Sequence, residues 1–194
     1  MAAMVAVLLS APAAIAATDN AAAVSAAWTP KELRFVYMGF TSKFSCDGLA
    51  DRMRHVLLLL GARKDLQVTP SGCTSPFGRP DPFPGVNIKM NVLAPADAAE
   101  AKGGNANTTS VPAHWKMVDV NEALARDPLW QAGQCELLEQ IKQSVLPKFS
   151  TRNVQYRSNC VPNQLSIGGT QLRAEVLMAD GQDATASPAA PPTH

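Results

Sequence analysis

Four cysteines constrain this chain more than any other feature. Cys46, Cys73, Cys135 and Cys160 are even in number and contain no C-x-x-C pair. That spacing argues against a zinc ribbon or a thioredoxin-like redox site and for a framework of two disulfides. Such a framework needs an oxidising compartment, and the amino end points to one. Residues 4–17 are almost wholly apolar or small, broken by Ser10 and Pro12, with no charge before Asp19. Ala14-Ile15-Ala16 has the small-x-small pattern of a cleavage site, so residues 1–16 read as a signal peptide cut after Ala16. The stretch departs from the usual signal in having no Lys or Arg before it. It is shorter than the ~20 residues of a membrane span, so membrane contact is expected only transiently, during export. The absence of a cysteine beside the cleavage site removes the usual lipid-attachment signal. The expected location is periplasmic or secreted.

With 194 residues, 46% of them hydrophobic, the chain can bury one core. The formal net charge is +1 and Lys and Arg are scattered. No basic stripe exists to hold phosphates, so nucleic acid is not an expected partner. The chain divides into residues 17–27, an alanine-rich flexible leader; 28–179, an α+β domain; and 180–194, a polar, proline-rich tail expected to be disordered.

Within the domain, aromatic and β-branched residues mark a strand over 33–38. Ser45 can cap a helix whose Leu49, Met53, Val56, Leu57 and Leu60 form one apolar stripe, and Gly61 ends it. A short strand follows at 66–69, then a proline-rich loop over 74–85. Residues 86–92 alternate cleanly, the pattern of a strand with one buried and one wet face. Further strands are expected at 115–120, 154–157 and 171–178, with a helix over 133–146 stopped by Pro147. Residues 121–126 suit a helical turn. The order is β-α-β-β followed by β-α-β-β. Cys46 and Cys135 are 89 positions apart, Cys73 and Cys160 are 87 apart, and the strands at Ile88 and Ala174 are 86 apart. This spacing suggests a duplication, one that no residue-level identity is expected to back.

The repeat also suggests a pairing. In a right-handed β-α-β unit the helix start and the end of the second strand meet at one edge of the sheet. Cys46 opens the first helix and Cys73 follows the second strand; Cys135 and Cys160 stand likewise. The expected bridges are Cys46–Cys73 and Cys135–Cys160, one of three connectivities. A reactive Cys46 is the competing idea, since a helix start stabilises a thiolate. His55 lies about 13 Å along the same helix, too far to serve as its base. His114 has no defined relation to it.

Other sites are weaker. Three histidines without short spacing, and the carboxylates Asp81, Asp119 and Glu122, do not compose a metal site, and no cofactor motif is present. Gly168-Gly169-Thr170 reads as a turn, and Asn107-Thr108-Thr109 is a glycosylation sequon by pattern only. Asp47, Asp51, Arg52 and Arg54 suit a solvated helix face with local ion pairs. Leu58 and Leu59 are expected in the core rather than on a contact surface. Asn87, Lys89 and Asn91 form a polar row on the wet face of their strand and are the candidate binding face, against the plainer reading of an ordinary solvated sheet.

Tyr37-Met38-Gly39-Phe40-Thr41, Ser45-Cys46-Asp47-Gly48-Leu49 and Leu60-Gly61-Ala62-Arg63-Lys64-Asp65-Leu66 resemble uncharacterised exported proteins of proteobacteria. The likeness covers most of residues 28–178. It implies export and no catalytic residue, since that family has no assigned activity. The expected fold is a two-layer α+β sandwich, a mainly antiparallel sheet with two helices on one face, ferredoxin-like in its paired βαββ units. The expected function is non-enzymatic contact with the envelope or with an unknown protein. A small envelope hydrolase or other enzyme is the alternative.

Overall fold

The computed structural model describes residues 23–40, 43–74, 80–97, 110–121, 134–159, 161 and 170–182. The elements are β1 (Val24–Val36), α1 (Cys46–Leu59), β2 (Gln67–Ser71), β3 (Gly85–Pro95), β4 (Val111–Asp119), α2 (Gln134–Gln140), β5 (Thr151–Arg157) and β6 (Gln171–Ala179). The helix α2 runs on through a π-helical turn over Ile141–Val145 and a 3-10 turn over Leu146–Lys148.

The six strands form one sheet in the order β2-β3-β1-β4-β6-β5. Every pairing is antiparallel. The sheet is open, and the fold is α+β. The order reads the same from either edge when each strand is exchanged for the one three places on. Its middle is thin: β1 and β4 share only the pairs Val24↔Ala113, Ser25↔Pro112 and Ala26↔Val111. Beyond Ala26 the second edge of β1 is free of β4, which is why Pro30, with no N–H to donate, is tolerated in a central strand.

Helix α1 forms as its sequence directs. Ser45 is the N-cap, its Oγ accepting from the Gly48 N–H at 3.1 Å. Leu49, Met53, Val56, Leu57 and Leu60 are fully buried. Gly61 then takes φ +91°, and a Cβ there would stand 3.1 Å from the Leu177 carbonyl oxygen. Leu137, Leu138, Ile141 and Val145 carry the inner side of the second helix into the same core. That core also takes Phe35, Val86, Ile88, Val118, Leu172 and Val176 from alternate positions of the strands, so both helices cover one face of the sheet. Leu58 and Leu59 pack half-buried against it.

The halves also touch beyond the sheet. The Ser150 Oγ donates to the Leu93 carbonyl at 2.8 Å. The Tyr37 hydroxyl and the Phe40 N–H both donate to Glu136 Oε2, at 3.2 and 2.9 Å, and the Met38 N–H donates to Gln140 Oε1 at 2.9 Å. Asn121 extends the sheet past β4 with its side chain: its Oδ1 accepts from the Leu172 N–H at 2.8 Å, and its Nδ2 donates to the Thr170 carbonyl.

Several expectations are corrected. Residues 24–27, read as leader, belong to β1, and Ala26 and Ala27 are buried between neighbouring strands. Residues 180–182, read as the start of a disordered tail, are placed: the Asp180 carboxylate meets His114 Nδ1 at 2.9 Å, and the Gln182 amide donates to the Ala62 carbonyl at 2.9 Å. Strand β2 continues through Pro70 to Ser71, as an edge strand can. The arginines of the charged row on α1 reach beyond their own helix. Arg52 lies 4.9 Å from the Phe44 ring centre, and Arg54 donates to the Leu66 carbonyl at 3.2 Å.

Candidate functional site

The expected bridge Cys46–Cys73 is present, with Cα atoms 6.1 Å apart. Cys135 is also disulfide-bonded; its expected partner, Cys160, lies outside the described residues, as do Glu122, Asn107, Thr108, Thr109, Gly168 and Gly169. Cys46 therefore carries no thiol, and the nucleophile reading falls. Asp81 is buried at 3% exposure beside this bridge. It accepts from the Thr74 hydroxyl at 2.6 Å and from the Thr74 N–H at 3.1 Å. Its own N–H donates to the Phe44 carbonyl at 3.0 Å, so its main chain is held to the segment before α1 while its carboxylate holds Thr74. His55 is exposed on α1, and His114 sits in β4. Among the described residues, no group of three or more His, Cys, Asp and Glu side chains is placed to hold a metal ion.

The candidate binding row Asn87, Lys89 and Asn91 lies on the sheet face turned away from the helices. Lys89 pairs with Glu32 on β1 at 3.3 Å. The Asn91 amide donates to Asp65 Oδ2 at 3.4 Å. Lys89, Asn91, Glu32, Asp65, Gln67 and Pro30 line a shallow depression of about 220 Å³. Asn87 stands two positions along, exposed, its carbonyl accepting from the Thr69 hydroxyl at 3.4 Å.

The depression adjoins a local arrangement that occurs twice on this face. In the first half Trp28 sits opposite Leu93, and the Arg63 guanidinium lies 5.6 Å from its ring centre. Asp65 clamps that guanidinium through Nε at 2.9 Å and Nη2 at 2.6 Å while also accepting from the Asn91 amide. In the second half Trp115 sits opposite Leu177, with Arg152 4.5 Å from its ring centre. Glu175 clamps Arg152 and accepts from the Asn153 amide at 2.8 Å. Each station has a cross-strand ion pair four positions along from its tryptophan: Glu32 with Lys89, and Asp119 with Arg173 at 2.6 Å. Between the stations Ala26, Leu93, Ala113 and Leu177 form a small buried cluster, edged by the half-buried indoles. The Arg63 hydrogen bonds hold the Asp65 carboxyl below the usual range. Hydrogen bonds from Asn153, then from Arg152, do the same for Glu175. Both clamps are therefore ionised at neutral pH.

The polar row was legible in the alternation of β3. The stations were not, although a signal exists: Trp28 and Trp115 are 87 positions apart, the spacing of Cys73 and Cys160, and Arg63 and Arg152 are 89 apart, that of Cys46 and Cys135. No family model matches the chain, and neither the curated proteins nor the solved structures yield a match.

Proposed function

We propose that this is a non-enzymatic binding protein of the periplasm or cell exterior, which uses the open sheet face around Lys89 and Asn91 to contact an envelope component or another protein. The observation that carries the reading is the shape of that face. Its polar groups converge on a shallow depression rather than a deep, enclosing pocket of the kind that ligand and active sites favour. Half-buried tryptophan and arginine flank it, the residue types that dominate contact surfaces. Export is supported by the signal-like amino end and by a disulfide.

The halves are proposed to be copies of one βαββ unit, each ferredoxin-like in local connectivity. The strand order supports this, and so do helix positions 89 apart that carry the same residue: Cys46 and Cys135, Leu49 and Leu138, Val56 and Val145, Leu57 and Leu146. Those identities correct the expectation that none existed.

A photo-crosslinking residue at position 89 in exported protein tests the function. Covalent adducts are expected there, and none from the same probe at exposed Lys148 on the far side of the molecule. Adducts absent at 89, or equal at both positions, count against the reading.

A further inference from the structure

The joint between the halves has a symmetry of its own. Val24, Ala26 and Trp28 of β1 recur as Val111, Ala113 and Trp115 of β4, each 87 positions on. Ser25 and Pro112, also 87 apart, stand directly opposite one another. Val24 therefore faces Ala113 just as Ala26 faces Val111. A pseudo-two-fold axis passes through the Ser25↔Pro112 pair, and each half offers the other the same surface it receives. That is the isologous design by which separate copies of a chain form dimers. The packing around the joint obeys the same axis. Ala26 and Leu93 from one half meet Ala113 and Leu177 from the other, and Val24 and Trp28 answer Val111 and Trp115 at the border.

The tether between the halves is long for the gap it crosses. Ala26 pairs with Pro95 on one side and with Val111 on the other. The end of β3 and the start of β4 are therefore two strand spacings, about 10 Å, apart. The fifteen residues 96–110 connect them. Drawn out, a chain of that length reaches about 50 Å.

We propose that this joint is an exchange site for a second copy of the chain. The first half of one copy receives the second half of another, and the reverse, giving a dimer of two complete six-stranded sheets. The proposal goes beyond the binding role of the open face and does not depend on it. Every described contact between the halves re-forms between copies: the shared core, Ser150 with Leu93, Glu136 with Tyr37 and Phe40, and Gln182 with Ala62. The Cys46–Cys73 bridge lies within the first half and stays closed throughout. Monomer and exchanged dimer thus differ only in the path of residues 96–110, and concentration decides between them. A tether of this length holds a chain's own second half at an effective concentration on the order of 1 mM. Well below that the halves close on themselves; near it another copy competes. The dimer carries two open faces on one particle, which gives it avidity for a repetitive surface.

The test uses the full oxidised chain in ordinary and isotopically heavy forms. The two are unfolded together in urea without reductant, refolded at about 1 µM or about 1 mM, and separated by gel filtration before native mass spectrometry. Monomer is expected from the dilute sample. The concentrated sample should yield dimers, the mixed light–heavy species among them in statistical proportion. Light and heavy proteins folded separately and then mixed at the higher concentration should give no mixed dimer, because exchange requires the joint to open. Deleting residues 97–109 leaves two residues to cross the gap around β1, too few for a chain to close on itself. The shortened protein should therefore be a dimer at every concentration, with the circular dichroism spectrum of the parent. Only monomers after concentrated refolding, or mixed dimers that form equally from folded proteins, overturn the proposal. So does a folded monomer of the shortened chain; if that chain does not fold, the refolding experiment decides alone.

Discussion

At the scale of single residues, Gly39 is the most tightly enclosed of the described glycines. A Cβ there would stand 1.8 Å from the Tyr37 hydroxyl and 2.6 Å from Glu136 Oε2. Tyr37 is fully buried, its ring set edge-on against Phe44, so it has nowhere to move. Gly39→Ala is expected to cost about 2–3 kcal/mol, as other overpacked sites do, measured by urea unfolding. Tyr37 itself adds a pH dependence. Burial, with the Glu136 charge behind it, raises its hydroxyl well above the ordinary value of 10.0. The folded protein therefore keeps this proton at pH values where the unfolded chain has lost it. Stability from this group is complete below about pH 10 and falls as the pH rises further. Tyr37→Phe should lower stability by about 1–2 kcal/mol near neutral pH, through the lost hydrogen bond, and should flatten the alkaline decline. Unfolding curves from pH 8 to 11 check both. None of this was legible in the sequence. The motif Tyr37-Met38-Gly39 reads as a strand running into a turn, and Glu136, the group that gives the glycine its meaning, lies 99 positions away.

At the scale of elements, legibility followed locality. The cap, apolar stripe and terminating glycine of α1 lie within a few residues of one another, and the helix forms where they place it. The first four residues of β1 lacked such a signal. Val24–Ala27 resemble the alanine-rich leader before them, and they become strand because β3 and β4 offer them partners and burial. The second helix was placed correctly, but its widened turn over Ile141–Val145 and the tight one holding Pro147 depend on packing against the sheet. The Cys46–Cys73 bridge was read from the order of elements, because it fastens a helix start to the end of the next strand. Replacing both cysteines with serine releases a loop spanning 27 positions. About 3–4 kcal/mol should be lost, read as a shift in the urea midpoint at constant slope. Loop residues 80–84, held by Asp81, should become sensitive to proteolysis at the same time.

At the scale of the whole molecule, the spacing of the cysteines already hinted at two like halves, and the open face makes the likeness chemical. The offset between the halves is not constant. Tryptophans and first strands match at 87, helices at 89 and the leucines of the third strands at 84, so no single alignment of the chain on itself displays it. Physical constraints explain which positions match. Buried helix residues and the face-forming tryptophans recur at these offsets, whereas the Asp65–Asn91 and Asn153–Glu175 pairs are alike in chemistry and not in position. Sequence alone could not find a likeness of that kind, since each position looks unrelated to its counterpart.

The contacts between the halves also set an order of assembly. The Cys46–Cys73 bridge closes within the first half and needs no residue beyond 73. The Leu93 carbonyl must wait for Ser150, and Tyr37 must wait for Glu136. A chain delivered amino end first therefore passes through a stage in which its first half is cross-linked but not yet docked, with the underside of its sheet still awaiting Leu177 and Ala113. The thin three-pair joint between β1 and β4 needs no residue beyond 113, so it can close ahead of the Glu136 and Ser150 contacts.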